Sequence, residues 1–301
     1  MSTGVNILKN CLADSYQISV IIPTYNRKHT LPRALDSVLA QSFQPFEIIV
    51  IDDGSTDGTF EWIISEYPSI KLIEPFNGPK PLKGYSPNGV SAARNAGTKV
   101  AKGDWIALLD SDDEWLPDKL AKQVQALKEN PEILFCHTNE IWIRHGVRVN
   151  QMKKHQKYGG MIFEKCLDIC RISPSSSLFH KSILDDIGLF DEKLKVCEDY
   201  DLWLRISAKY PVLFLDEPLI NKYGGHEDQL SKTPEGIERY RIQSLEKILG
   251  SDLLSESQFQ SAKDMFLRKL RIFANGLEKR RKTDELNSVQ KKIQDWILIS
   301  N

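Results

Sequence analysis

The sequence has almost no net charge, which limits the partners that its surface can attract. Its 40 lysine and arginine residues balance 41 aspartate and glutamate residues, leaving a formal net charge of -1. Proteins that bind nucleic acid usually carry an excess of basic residues, so we expect no nucleic acid partner. With 41% hydrophobic and 27% charged residues, the 301-residue chain has the composition of a globular protein that buries a core.

Long apolar segments are also missing. No apolar run reaches the roughly 18 to 20 residues that a membrane-spanning helix needs. Residues 1–17 contain no basic region followed by an apolar stretch, so no signal peptide is expected. The sequence therefore predicts a cytoplasmic protein, whose only contact with a membrane would be peripheral, at the inner face of the cell membrane.

Cysteine is scarce, and its five positions are scattered. Cys166 and Cys170 are four residues apart, a spacing that suits one face of a helix better than a zinc knuckle. We therefore expect reduced, mostly buried thiols rather than disulfides or a structural metal site.

Strand and helix patterns alternate through the first half of the chain. Short β-branched runs predict strands at residues 18–23, 47–51, 70–73 and 104–109, with amphipathic helices between them. This order predicts an α/β fold with a mostly parallel, Rossmann-like central sheet flanked by helices. Beyond residue 133 the pattern loosens, and we expect strands at 133–136, 141–149 and 212–215 and a helix at 198–210.

Polar and acidic turns follow three of the predicted strands directly. They read TYNR (residues 24–27), DDGS (52–55) and DSDD (110–113). Ligands of open α/β sheets bind outside the carboxyl ends of the strands, so the three turns are predicted to line one pocket.

The third turn points to a divalent cation. Three carboxylates within four residues repel one another at neutral pH, and a hard cation such as Mg²⁺ or Mn²⁺ relieves that repulsion. An EF-hand is a poor alternative, because the sixth position counted from Asp110 is Trp115, where a calcium loop needs glycine. A phosphatase-type aspartate nucleophile fits less well than a site for a metal and a diphosphate.

The ordered motifs from about residue 18 to 231 resemble those of family 2 glycosyltransferases with the GT-A fold. The matching segments are VIIPTYNR (20–27), VIDDGS (50–55), AARN (92–95), LDSDD (109–113), EDYDLWLR (198–205) and HEDQLS (226–231). The set is specific for the family but says little about the sugar.

The resemblance assigns roles to individual residues. It implies a nucleotide-sugar site formed by Pro23, Thr24, Tyr25, Arg27, Asp53, Arg94, Asp110 and Ser111. Asp112 and His226 would bind a metal, which implies Mn²⁺ or Mg²⁺ as cofactor. Asp199 would be the general base that accepts a proton from the attacking hydroxyl. The structural alternative is that Glu198 and Asp199 only cap the helix, and Asp201 is close enough to be confused with the base.

The implied reaction is inverting transfer of a sugar from a nucleotide-sugar, expected to be a UDP-sugar, to a hydroxyl of a glycan or lipid-linked acceptor. Such a reaction belongs to cell-surface polysaccharide or glycoconjugate biosynthesis. One alternative is a nucleotidyltransferase, although the turn after the first strand lacks the expected glycine-rich basic loop. Another is a catalytically silent nucleotide- or glycan-binding module. Trp115, Trp142 and Trp203 either line the acceptor pocket or pack in the core, and residues 173–177 lie where acceptor contacts are common.

We expect a GT-A catalytic domain at residues 1–232 and a helical C-terminal extension at 233–301. The catalytic domain would have a nucleotide-sugar half at about 18–115 and an acceptor half at about 116–232. The extension repeats apolar residues at helical spacing on both sides of a basic segment, KRRK (279–282). Two interpretations remain open for it: a helical hairpin packed on the catalytic domain, or a peripheral contact with anionic lipid.

Overall fold

A computed structural model describes residues 16–74, 88–225 and 236–298 of the chain. Its centre is one sheet, in which the described strands follow the order β3-β2-β1-β4-β8-β6-β9-β5, with β7 paired to β6. The strands are β1 (Ile18–Thr24), β2 (Glu47–Asp52), β3 (Lys71–Ile73), β4 (Trp105–Leu108), β5 (Glu114–Trp115), β6 (Phe135–Arg144), β7 (Val147–Val149), β8 (Leu178–His180) and β9 (Leu213–Gly224).

Ten α-helices lie within the described residues. They are α1 (Leu31–Leu39), α2 (Thr59–Glu66), α3 (Gly89–Val100), α4 (Lys119–Glu129), α5 (Phe163–Cys166), α6 (Ser182–Ile187), α7 (Glu198–Lys209), α8 (Ile237–Leu249), α9 (Glu256–Lys279) and α10 (Thr283–Leu298).

The first half of the sheet is parallel, as the alternating pattern predicts. Strand β1 lies between β2 and β4 and is parallel to both, while β3 pairs parallel with β2. Every residue of β1 is buried, which explains why its sequence is largely apolar. Helix α3 packs very closely on this part of the sheet, because a Cβ atom at Gly97 would lie 2.6 Å from Cγ2 of Ile21.

The second half of the sheet is mixed. Strand β8 is antiparallel to both β4 and β6, β9 returns parallel to β6, and β5 is antiparallel to β9. The α/β fold class is therefore confirmed, but parallel pairing dominates only the first half. The expected boundaries were wrong here: the runs at 133–136 and 141–149 form one long strand plus the short β7, and the run at 212–215 extends to Gly224. The far ends of β6 and β9 are only partly buried, so their sequence pattern is weaker.

Helices α8 to α10 pack against α7 and α5 and share their apolar core. Phe266, Leu270 and Leu277 of the predicted apolar stripe are at most 1% exposed, and the Phe266 ring contacts Trp296 at a centroid distance of 5.1 Å. The stripe is thus occupied by protein, which favours the packed arrangement. The domain boundary near residue 232 falls outside the described residues and stays a prediction, as does a lipid contact of residues 279–282. Among the described helices, none has the length and hydrophobicity to cross a bilayer.

Candidate active site

The turns after β1 and β2 are joined by hydrogen bonds at one edge of the sheet. Asn26 donates its backbone N–H to Oγ of Ser55 at 2.8 Å, and its side-chain oxygen accepts the backbone N–H of Thr56 at 2.7 Å. Asn26 adopts a left-handed conformation with φ of 53°, which brings the TYNR turn back over its neighbour. The predicted meeting of these turns at the carboxyl ends of the strands is therefore observed.

Several buried polar atoms at this edge have no hydrogen-bond partner among the described residues. They include Oγ1 of Thr24, the hydroxyl of Tyr25 and Oδ2 of Asp52. Burial raises the pKa of Asp52, and hydrogen bonds from Ser55 oppose that effect. Buried polar groups are normally paired, so this concentration of unpaired atoms is unusual.

The other residues that are predicted to contact the nucleotide differ in their burial and in their hydrogen-bond partners. The carboxylate of Asp53 accepts the backbone N–H of Gly89 at 2.8 Å and the side-chain amide of Asn88 at 3.1 Å, so it caps α3. Pro23 is buried in β1, and the Arg27 backbone N–H bonds Oγ1 of Thr59 at 3.2 Å. Ser111 is buried in the acidic turn. Contacts of these residues with a nucleotide stay predictions.

The three carboxylates of the acidic turn have different surroundings. Asp110 pairs with Arg94, whereas buried Asp113 accepts Oγ–H of Ser175 at 2.6 Å and the backbone N–H of Tyr223 at 3.0 Å. Burial raises the pKa of Asp113 well above its usual value, and the charges of Asp112 and Asp110 add to this effect. The expected repulsion within the turn is therefore present, and Asp112, like Asp110, is only partly buried.

The carboxylates of the acidic turn suit a metal that takes most of its ligands from a bound substrate. The residues described contain no group of three histidine, cysteine or acidic side chains arranged to hold a metal. Asp112 alone of the two predicted ligands can be placed, because His226 lies outside the described residues. Magnesium-type sites commonly use one or two carboxylates together with substrate phosphates, and Asp112 suits that role.

Arg94 connects the acidic turn to the start of α7. Its side chain is 3% exposed and donates to Asp110 at 2.7 Å and to Glu198 at 2.6 Å. Burial alone would lower the pKa of Arg94, but the two carboxylates outweigh it and raise that pKa. Burial raises the pKa of Glu198, and Arg94 opposes this. The bridge fixes the predicted base, next to Glu198, relative to the donor turn.

Asp199 lies in the first turn of α7, where the helix dipole stabilises a carboxylate. Oδ1 accepts the backbone N–H of Tyr200 at 2.7 Å, and Oδ2 accepts the thiol of Cys170 at 3.3 Å. Asp201 differs, because it is 2% exposed and pairs with Arg205 at 2.7 Å and Lys247 at 3.1 Å. The environment therefore separates a partly exposed candidate base from a structural neighbour.

Asp199 lines a cavity of about 80 Å³. Its walls include Glu140, Trp142 and Lys222. Among the three tryptophans considered for the acceptor pocket, Trp115 and Trp203 are each 2% exposed and pack in the core. Trp142 alone of these three lines the cavity, so the structure separates it from the other two.

The serine segment 173–177 connects this cavity to the acidic turn. Ser173 donates to Oε2 of Glu140 at 2.6 Å and accepts Nζ of Lys222 at 2.8 Å, while Ser175 contacts Asp113. Nearby carboxylates, Glu140 first, raise the pKa of Lys222 although burial opposes them. A positive charge is thereby held between the acidic turn and Asp199.

Seven of the residues that line the cavity were missed in the sequence: Glu140, His155, Lys157, Cys170, Arg171, Ile172 and Lys222. Glu140 and Lys157 form a buried ion pair at 3.2 Å. Lys222 stands four residues before His226 of a recognised motif, which was the one available signal. Cys170 was expected on a helix with Cys166, but α5 ends at Cys166 and that interpretation was wrong. The four cysteines in the described part of the chain are free, as expected.

A parallel half-sheet ending in polar and acidic turns, joined through Arg94 to Glu198 next to the cavity residue Asp199, defines a GT-A glycosyltransferase architecture. The family model for "Glycosyl transferase family 2" matches residues 19–188, more than half of the chain. The chain therefore belongs to the family 2 glycosyltransferases.

Individual relatives agree with this assignment. An uncharacterized glycosyltransferase of Rickettsia felis is 34% identical over 228 residues, which cover 74% of this chain but only 34% of the relative. The chain thus spans about a third of the length of that relative. The Escherichia coli protein WfgD, a UDP-Glc:alpha-D-GlcNAc-diphosphoundecaprenol beta-1,3-glucosyltransferase, is 32% identical over 194 residues, covering 64% of this chain and 70% of the relative.

The fold is also that of a solved enzyme structure. S. aureus TarS residues 1–349 in complex with UDP-GlcNAc superimposes with a TM-score of 0.69 at 21% identity, covering 93% of this chain and 81% of that one. At this identity the match establishes the GT-A fold with additional C-terminal helices and nothing finer.

Proposed function

We propose that this protein transfers a sugar from a nucleotide-sugar to a hydroxyl of a lipid-linked or glycan acceptor, with inversion at the anomeric carbon. The observation that carries this proposal is the hydrogen-bonded path Asp110–Arg94–Glu198, which holds Asp199 opposite the donor turn. A base fixed on one side of a pocket and a diphosphate site on the other are what a direct displacement requires.

In the proposed reaction, the acceptor hydroxyl lies in the cavity against Asp199. Its oxygen forms a bond to the anomeric carbon while the bond from that carbon to the nucleoside diphosphate breaks. Asp199 takes the proton of the hydroxyl as the new bond forms. The Cys170 thiol and the Tyr200 N–H orient the carboxylate for this transfer.

The donor is proposed to be a UDP-sugar bound at the carboxyl edge of β1, β2 and β4. The unpaired polar atoms of Thr24, Tyr25 and Asp52 support this position, because a base and ribose supply donors and acceptors for them. The named donor of the Escherichia coli relative, UDP-Glc, supports uridine as the nucleoside.

Divalent metals are common among enzymes with this fold. We propose Mn²⁺ or Mg²⁺ at Asp112, with His226 as a second ligand. The metal would supply positive charge that stabilises the departing nucleoside diphosphate. This chain would supply the partly exposed carboxylate of Asp112. Its acidic neighbours Asp110 and Asp113 are held by Arg94 and Ser175, respectively.

The acceptor is proposed to be a sugar carried on a lipid diphosphate. The substrate named for the Escherichia coli relative is of this kind, and that relative is covered over 70% of its length. Trp142 gives the cavity an aromatic wall beside Asp199, and such a wall suits the apolar face of a sugar ring.

The first experiment is calorimetric titration of the protein with UDP, GDP and CMP, each with and without Mn²⁺. We expect UDP to bind most tightly and to need the metal for this binding. The tight, metal-dependent binding should be lost in Asp112→Ala. The exposed Asp252→Ala provides a matched control that should bind as the wild type does. Release of UDP from UDP-sugars in the presence of an N-acetylglucosaminyl diphosphate lipid then tests transfer.

The main alternative is a catalytically silent nucleotide- or glycan-binding module of the same fold. Metal-dependent UDP binding without release of UDP from any UDP-sugar, with lipid-linked and free acceptors present, would establish that alternative. Absence of metal-dependent binding for all three nucleotides would overturn the proposed donor site itself.

A further inference from the structure

Four basic residues lie at or beside the wall of the cavity that contains Asp199, where His155 is part of the lining; we call Arg144, Lys153, Lys154 and His155 the basic rim. The His155 ring contacts Trp142 of the cavity wall at a centroid distance of 4.8 Å, and the Arg144 guanidinium lies 5.5 Å from the centroid of the same indole. Lys153 and Lys154 precede His155 in one 3-10 turn. The rim is therefore directly next to the candidate acceptor cavity.

The turn that carries the rim is fixed to the fold. The guanidinium of Arg171, whose side chain is 9% exposed, donates to the carbonyl oxygens of Lys154 and, at 3.0 Å, of Gln156. The same guanidinium contacts both oxygens of Asp168 at 2.9 Å. Arg171 is thus neutralised locally, and its role is to hold the backbone of the rim in place.

The rim itself carries uncompensated positive charge. Arg144, Lys153 and Lys154 are exposed, and within the described ranges no carboxylate lies within 4 Å of their charged groups. Lys157, further inside, differs because it is paired with Glu140. Burial lowers the pKa of His155, and the charges of Lys154, Arg171 and Arg144 add to this while Glu140 opposes it, as expected for a region of positive potential.

We propose that the basic rim binds the diphosphate that joins the acceptor sugar to its lipid carrier. This inference rests on the proposed function. The anomeric end of the acceptor sugar lies one ring away from a hydroxyl placed against Asp199, and the Trp142 wall leads from the cavity to the rim. Arginine and lysine donors suit phosphate oxygens, and the cations of the rim offset the two negative charges of a diphosphate that joins a sugar to a lipid.

Anionic lipid headgroups share the phosphate chemistry of the acceptor, so the test needs to separate the two sources. The rim variant replaces Arg144, Lys153 and Lys154 together by glutamine. A matched control replaces three exposed cations of the C-terminal region, Lys279, Arg280 and Lys282, by glutamine. Circular dichroism and thermal unfolding check that both variants fold.

Two acceptors are compared in transfer assays: N-acetylglucosaminyl diphosphate on a phenoxyalkyl chain, and the same sugar and chain without the diphosphate. We expect the rim variant to raise KM for the diphosphate acceptor about tenfold to a hundredfold while leaving KM for the neutral acceptor unchanged. The control should change neither value. Equal effects on both acceptors, or no effect on either, would overturn the inference while the transfer function stands.

Binding measurements keep the inference testable if no transfer is found. Calorimetry with the same two compounds should show preference for the diphosphate in the wild type and loss of that preference in the rim variant. A further arm uses vesicles of phosphatidylcholine with and without phosphatidylglycerol. Rim-dependent binding to the anionic vesicles, with no preference between the two soluble acceptors, would assign the rim to headgroups and contradict the proposal.

Discussion

The thiol of Cys170 lies 3.3 Å from Oδ2 of Asp199 and 3.3 Å from the carbonyl oxygen of Ile172, so its single proton can bond either acceptor. Burial, together with the charge of Asp199, raises the pKa of Cys170 well above its usual value, so the sulfur keeps its proton at neutral pH. A thiol is a weak donor, which leaves the carboxylate oxygen available to accept a proton from an acceptor hydroxyl.

Replacing Cys170 is therefore expected to change how transfer depends on pH. Cys170→Ala removes a bond worth about 1 kcal/mol, so kcat should fall about fivefold and the acid limb of the kcat/KM profile should move to higher pH. Cys170→Ser supplies a stronger donor to the carboxylate, and its acid limb should move the opposite way. Cys166→Ala, which alters a nearby buried thiol, is the control. Identical profiles in all three variants would show that Cys170 has no part in positioning Asp199.

Asp199 and Asp201 provide a matched pair on one helix. Asp199→Asn should lower kcat by about 10²- to 10⁴-fold without weakening UDP binding, because it removes the proton acceptor alone. Asp201→Asn should instead lower the free energy of unfolding, since Asp201 pairs with Arg205 and Lys247 inside the fold. Steady-state kinetics and urea unfolding distinguish the two effects. Full activity in Asp199→Asn would exclude it as the base.

The Arg94 bridge should contribute strongly to stability as well as to geometry. Arg94→Met leaves Glu198 buried without its cation, and breaking a buried pair in this way costs about 3–5 kcal/mol. Arg148→Met, at an exposed position in β7, should cost far less. Urea unfolding measures both variants. An unchanged unfolding midpoint in Arg94→Met would mean that the contacts with Asp110 and Glu198 contribute no net stability.

Lys119 should make stability depend on pH without any role in the reaction. It is fully buried, bonds Gln123 at 2.7 Å and lies 3.9 Å from the Trp115 ring centroid. Burial lowers the pKa of Lys119 from 10.5 to about 7. Between these values the unfolded chain binds the proton and the folded protein does not, so this residue makes stability rise with pH, by at most about 1.4 kcal/mol per unit.

Lys119→Met removes that dependence. At pH 7 the variant should be more stable than the wild type by about 1–3 kcal/mol, because it avoids burying an amine. The advantage should shrink as the pH approaches 10.5, where the unfolded lysine also becomes neutral. Exposed Lys128→Met on the same helix serves as the control and should show neither effect. A stability difference that stays constant from pH 7 to 10 would contradict the assignment.

Local patterning of the sequence accounts for the carboxyl edge of β1, β2 and β4, where the donor site is proposed. The strands β1, β2 and β4 are short, apolar and followed directly by polar turns, so their type and the position of those turns follow from local patterning. Adjacent parallel strands end at a common edge, which is why the sequence alone predicts that the TYNR, DDGS and DSDD turns lie together.

The surroundings of the Asp199 cavity, where the acceptor is proposed to bind, depend instead on tertiary contacts. Arg94 contacts a carboxylate 104 positions away, and Cys170 contacts one 29 positions away, neither of which any local pattern indicates. Burial separates Trp142 from Trp203, which residue type does not, whereas the motif resemblance alone already favours Asp199 over Asp201 as the base. The physical reason is that the second half of the sheet pairs distant, partly exposed strands in mixed directions, so the neighbours of each side chain are set by packing across the fold.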